Sequence, residues 1–163
     1  MKQYTLIFVL TISVLIGSSR VCWGDDFQKG VDGANRGDFT TAIKEWIKFA
    51  KQGDVVAQFN LGLTYHEGRI VPEDYKNALK WYLLAAQQGN TDAQFNIGVM
   101  YYNGQGVLID DVRAYMWFDL SASAGNDAAA INRDRVAGIM TSTQIEQAKK
   151  LAQQCLAKNY RGC

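Results

Sequence analysis

The sequence predicts an all-α fold, a solenoid of stacked antiparallel helix hairpins, and three observations carry that expectation. Ala57-Gln58-Phe59-Asn60 returns 36 residues later as Ala93-Gln94-Phe95-Asn96, and the same step takes Gly62 to Gly98, Tyr65 to Tyr101 and Gly68 to Gly104. The step also connects Ala42, Ala78 and Ala114; Trp46, Tyr82 and Phe118; Ala50, Ala86 and Ala122; and Gly53, Gly89 and Gly125. Within each unit the apolar residues recur at three- and four-residue steps, the period of a helix face. A unit of this length cannot bury its apolar face alone, so neighbours must stack into a continuous core.

Residues 1–24 are set apart from that domain. Lys2 precedes an apolar run of 11 residues from Leu6 to Ile16, followed by Gly17, Ser18 and Ser19. The run falls short of the roughly 20 apolar residues a membrane span needs, and its pattern is that of a secretory signal peptide cut after Cys22-Trp23-Gly24. Lipid attachment at Cys22 is the disfavoured alternative, because Arg20 and Val21 stand where small residues are required. Export places the mature chain, residues 25–163, in the periplasm or outside the cell. No membrane insertion is expected after cleavage.

Removal of Lys2 and Arg20 with the signal leaves 15 positive residues against 16 acidic ones. That balance gives no basic stripe for nucleic acid. Cys155 and Cys163 remain as an even pair in an exported chain and are expected to form a disulfide.

The elements follow in order. Residues 25–54 form a partial unit whose connector, around Asn35-Arg36-Gly37-Asp38, is four residues shorter than the later ones: Gly30 to Ala42 spans 12 residues, Gly62 to Ala78 spans 16. Residues 55–90 and 91–126 form full units. In the second of these, Ala93, Ile97, Met100 and Tyr101 mark one face of a helix from Thr91 to Asn103, which Gly104 ends by a left-handed turn. A connector over residues 104–109 leads to Asp110, whose carboxylate caps the next helix; Gly68 to Glu73, with Asp74, does the same in the preceding unit. Small residues at Ala42, Ala78 and Ala114 let helices approach, and the Trp46, Tyr82 and Phe118 series fills the space between them. Gly53, Gly89 and Gly125 close the units, each followed by an Asp or Asn cap. Residues 127–163 form a C-terminal cap, in which Asp134 replaces the expected glycine and Thr143 with Glu146 is expected to form a capping box. The whole makes about four hairpins.

With these residues in place, the chain resembles the Sel-one-like repeat (SLR) family, a branch of the tetratricopeptide-like helical repeats. The family pattern reads here as Ala57, Leu61-Gly62, Tyr65, Gly68, Asp74, Ala78, Trp81, Ala85-Ala86 and Gly89, and again over 91–126 with Ile97 for leucine and Ser121-Ala122 for the double alanine. The short first hairpin looks like an ordinary tetratricopeptide unit. The resemblance implies a right-handed α-solenoid that binds a protein or peptide, without catalysis and without a cofactor, in a bacterial periplasm or secreted. Some cysteine-rich relatives act on or bind β-lactams, which makes a cell-wall or β-lactam-acting enzyme the alternative. Those relatives carry a cysteine pair in each repeat, whereas Cys155 and Cys163 are the only mature pair here.

Catalytic constellations are sparse. His66 is the single histidine, so a paired-histidine zinc motif is absent, and neither a Gly-x-Ser-x-Gly elbow nor a Ser-x-x-Lys pair occurs. No catalytic residue and no metal ligand is assigned. Helix geometry places Leu61, Tyr65 and Gln58 in one sector and Phe59, Leu63 and His66 on the other side; if the first sector packs inside the hairpin, the second faces the concave surface or an adjacent unit. Phe59, Asn60, His66, Phe95, Asn96, Tyr102 and Asn132 are therefore the candidate partner-binding residues. The ladder Asn60, Asn96 and Asn132 either holds an extended peptide backbone through paired donor and acceptor groups or ties adjacent helices together.

Overall fold

The structure is a computed structural model that describes residues 23–163. Residues 1–22 of the expected export signal lie outside the described residues, and the signal's last two positions, Trp23 and Gly24, open the first helix. The described residues form eight helices and no strand: α1 Trp23–Asn35, α2 Phe39–Lys51, α3 Val55–Glu67, α4 Tyr75–Ala86, α5 Thr91–Asn103, α6 Asp111–Ser123, α7 Asp127–Ala137 and α8 Ser142–Ala157. Each of the pairs α1/α2, α3/α4 and α5/α6 packs as a hairpin, and α2, α4 and α6 each pack on the helix that opens the next unit.

The helix starts are written into the sequence. The side chains of Asp38, Asp54, Asp74, Asn90, Asp110 and Asn126 each accept a hydrogen bond from the backbone N–H three residues on, satisfying amides that no helical carbonyl can reach. Bonds from Thr41 to Asp38 and from Asn77 to Asp74 hold both carboxyls below their ordinary range. Helix α5 ends at Gly104, whose φ of 71° is left-handed, the conformation that glycine adopts without a Cβ penalty.

Apolar burial is concentrated between units. Ala42, Trp46, Phe49 and Ala50 meet Ala57, Leu61 and Trp81 at the first junction; Ala78, Tyr82, Ala85 and Ala86 meet Ala93, Ile97 and Met100 at the second. Leu61 thus faces the preceding unit, and the sector expected inside the hairpin is instead the stacking face. The glycines within the helices have a direct cause. A Cβ on Gly62 would lie 2.4 Å from the Tyr82 ring, and one on Gly98 would lie 2.7 Å from the Phe118 ring. Gly30 stands in the same relation to Trp46, at 2.8 Å from Nε1. The aromatic series and the glycine series are therefore two halves of one contact, repeated in three hairpins.

The C-terminal cap departs from expectation in two ways. The capping box of α8 is Thr141 with Gln144: Gln144 N–H donates to Thr141 Oγ1 at 3.3 Å, and Thr141 N–H donates to Gln144 Oε1 at 2.8 Å. The expected Thr143 and Glu146 lie two residues further on, within the helix, because glutamine completes the box as well as glutamate and the extended backbone of Thr141 precedes theirs. Further, α8 does not close a fourth hairpin on α7; its main packing partner is α6. Asp134 on α7 pairs with Arg133, which also reaches Asp119 of α6, so no glycine slot receives an aromatic ring there. Cys155 and Cys163 form a disulfide, with Cα atoms 5.4 Å apart.

Candidate functional site

The AQFN segment that repeats in sequence does two jobs. Its glutamine stitches units: buried Gln58 donates from Nε2 to the Ala50 carbonyl at 3.0 Å, and Gln94 repeats the bond to Ala86 at 3.5 Å. Gln88 reinforces the first junction, donating to the Gly53 carbonyl at 2.9 Å and to Gln58 Oε1 at 2.8 Å. Such bonds fix how one unit sits on the next, because a buried amide left unpaired costs about 1 to 3 kcal/mol.

The seven candidate residues fall into separate settings. Phe59 packs on Tyr82 with ring centroids 5.9 Å apart, and Phe95 packs on Phe118 at 5.7 Å; each phenylalanine closes the aromatic contact that the neighbouring glycine admits. His66 lies edge-on to Tyr75 and Tyr82, at 5.4 and 6.0 Å. Its Nε2 is 3.2 Å from Gln105 Oε1, and its Nδ1 is 3.4 Å from the Tyr82 hydroxyl. Asn96 also hydrogen-bonds Tyr82, so Phe59, His66 and Asn96 converge on one buried phenol. Burial, followed by the nearby Glu67 charge, raises the pKa of that phenol well above the usual tyrosine range, against the opposing bond from Asn96. Tyr102 is half-buried against the cluster that holds Phe118. Asn132 donates to the Ala128 carbonyl at 2.8 Å and accepts from Arg135 at 3.2 Å. The three asparagines of the ladder thus have different surroundings.

Asn60 lines a cavity of about 210 Å³ with Trp46, Leu63, Thr64, Glu67, Arg69 and Ile70. Helices α2 and α3 supply its apolar walls, and the α3/α4 connector supplies its rim, where Arg69 pairs with Glu67 at 3.3 Å. Sequence reasoning named Asn60 and Leu63 but not the rim, since Arg69 and Ile70 belong to a connector with no helical period to read. A second hollow of about 250 Å³ lies between α6 and α8, walled by Arg113, Met116, Leu151, Lys158 and both cysteines. Arg113 is held there by Asp110. Among the described residues no three His, Cys, Asp or Glu side chains are grouped to hold a metal ion. No described helix is long and apolar enough to cross a membrane.

Hairpins repeating on a fixed step, with glycine-aromatic contacts inside each and glutamine stitches between them, define a helical-repeat solenoid. Residues 55–90 and 91–126 each match the Sel1 repeat; the chain is built on two Sel1 repeats. It is similar to c5321, a protective antigen present in uropathogenic Escherichia coli strains that displays an SLR fold, with 31% identity and a TM-score of 0.74 over 84% of this chain and 32% of that one. It is also similar to a Sel1 repeat protein from Oxalobacter formigenes, with 37% identity and a TM-score of 0.58 over 60% of this chain and 28% of that one. The chain spans about a third of the length of these solved relatives. No curated protein matches it. Sel1 repeat proteins are typically scaffolds that mediate protein interactions.

Proposed function

We propose that the mature chain is an exported, non-catalytic scaffold that binds a segment of a partner protein or peptide. The observation that carries this reading is the cavity around Asn60: an apolar wall of Trp46, Leu63 and Ile70 beside an amide, with a charged pair at the rim. Such a hollow accepts one apolar side chain of the guest, while Asn60 offers a donor and an acceptor to its backbone. Phe59 and His66 on the same helix, and Phe95, Asn96, Tyr102 and Asn132 in the units that follow, extend the contact surface. The disulfide fits an oxidising compartment, in line with the signal-like residues 1–24.

The test is capture of binders from envelope extract by the immobilised mature protein, compared with Asn60→Ala/Ile70→Glu and with Asn96→Ala/Tyr102→Ala. Loss of the same binder in both variants, with helical circular dichroism and melting midpoint retained, supports the reading. Undiminished capture by both variants overturns it, as does turnover of a β-lactam or peptidoglycan fragment by the purified protein. N-terminal sequencing of native material is expected to begin at Asp25, and a retained Met1 would refute export.

A further inference from the structure

Helix α4 carries an apolar stripe that the same position on α6 already shows how to cover. Leu79, Leu83 and Leu84, half-buried and flanked by exposed Lys76 and Lys80, line an open hollow of about 380 Å³. Their spacing is that of one helix face. The 36-residue step maps these five positions onto Val112, Tyr115, Met116, Asp119 and Leu120 of α6. There Tyr115, Met116 and Leu120 are 5%, 2% and 2% exposed, because α8 lies across them. Helix α8 lays small side chains on that surface: Ala148 packs with Tyr115, and Ala152 and Cys155 pack with Met116 and Leu120.

We propose that the α4 face is a second docking surface, taken by an amphipathic helix of a partner protein that presents small apolar residues at the spacing of Ala148, Ala152 and Cys155 and acidic residues on its flanks. The geometry follows from the equivalence of α4 with α6. The charge follows from Lys76 and Lys80, which stand where α6 has Val112 and Met116, so the visitor needs a counter-charge that α8 does not supply. Indeed α8 carries Lys149 and Lys150 and is followed directly by Lys158, which disfavours the α8 of a second copy as the occupant. None of the residues around the Asn60 cavity lines this face, and the two surfaces can be tested apart.

The experiment selects a displayed library of 16-residue helices, the length of α8, on the full mature protein, with alanine or serine at the three facing positions and randomised flanks. Enriched helices are expected to carry Asp or Glu flanks. Leu83→Glu should weaken the best of them at least tenfold, and Lys76→Glu/Lys80→Glu, at two exposed positions, should do the same. A copy of that helix with lysine flanks should regain binding to the charge-reversed protein, while the Asn60→Ala/Ile70→Glu variant should bind the original helix unchanged. The proposal fails if no helix is enriched over an inert control, or if the enriched helices bind both α4 variants normally. It also fails if sedimentation shows a dimer that Leu83→Glu dissociates, since the occupant is then a second copy.

Discussion

Helices α4 and α6 hold the same place in consecutive units, and their inner faces are nearly interchangeable. Tyr82 and Phe118 each press on a glycine of the partner helix, and Ala78 and Ala114 are both fully buried. Their outer faces differ. Leu84 of α4 is half-buried beside an open hollow, whereas its counterpart Leu120 is covered by α8. The repeat step therefore governs what a hairpin does within itself, and the neighbour governs the rest. A solenoid can vary its surface from unit to unit without disturbing the contacts that make the unit.

The sharpest way to break this comparison is to truncate the same position in both helices. Leu120→Ala removes a side chain that is 2% exposed and should cost about 3 kcal/mol, within the range for buried leucines. Leu84→Ala, at a half-buried position, should cost about 1 kcal/mol. Urea unfolding of both variants measures the difference. Equal losses would mean that α8 does not protect α6 as described.

The disulfide tests whether α8 is held on α6 by more than packing. Cys155 and Cys163 close a loop of nine residues, and replacing both by serine should cost about 2 to 3 kcal/mol on the chain-entropy estimate. The loss should be local: amide exchange should accelerate in α8 and along the outer face of α6, and remain unchanged in α4. Uniform acceleration across all helices would show that the bridge supports the whole stack. Intact mass should rise by two daltons on reduction.

The inner contact is probed by Gly98→Leu and Gly62→Leu. Either side chain must displace an aromatic ring, and each change should destabilise by about 1 to 3 kcal/mol, even though glycine within a helix is itself unfavourable by about 1 kcal/mol. Similar losses in the two units would support an interchangeable inner face. A variant with an unchanged melting midpoint would show that its glycine admits no ring.

Legibility in the sequence followed the same division. Much within the repeat step could be read: helix limits such as Thr91–Asn103, the caps at Asp74, Asn90 and Asp110, and the Trp46, Tyr82 and Phe118 series as core, since each rests on local chemistry that recurs; that each ring meets a glycine was not, because two series can share a period without sharing a contact. Leu61 was given the wrong side because the helical period fixes which residues share a face, not which neighbour that face meets. The position of α8 was hidden for a related reason. Residues 127–163 have no second copy to compare with, and the Thr141 capping box competes with a similar pattern two residues on. Of the site, Asn60 was legible as a member of a ladder. The connector residues Arg69 and Ile70 that complete its cavity were not, because their placement depends on a turn rather than a period.

The smallest expected effect makes the two inner faces alike. Tyr82→Phe gives the second unit the ring that the third unit has in Phe118, and removes the hydroxyl that meets His66 Nδ1 at 3.4 Å. That bond is long, and the hydroxyl's other partner, Asn96, is only half-buried, so stability at neutral pH should change by about 1 kcal/mol or less. The pH dependence should change more visibly. Burial raises the Tyr82 pKa above the ordinary value of 10.0. Below that value the phenol is neutral in both the folded and unfolded chain, and its contribution is fully present. Above it the unfolded chain releases the proton while the folded one retains it, so stability is lost as pH rises toward the raised folded value. Tyr82→Phe should therefore flatten the fall in melting midpoint above about pH 10. Tyr75 and Tyr115, whose pKa values are also raised, should leave a residual slope. An alkaline slope identical to that of the parent protein would show that Tyr82 does not hold its proton through burial.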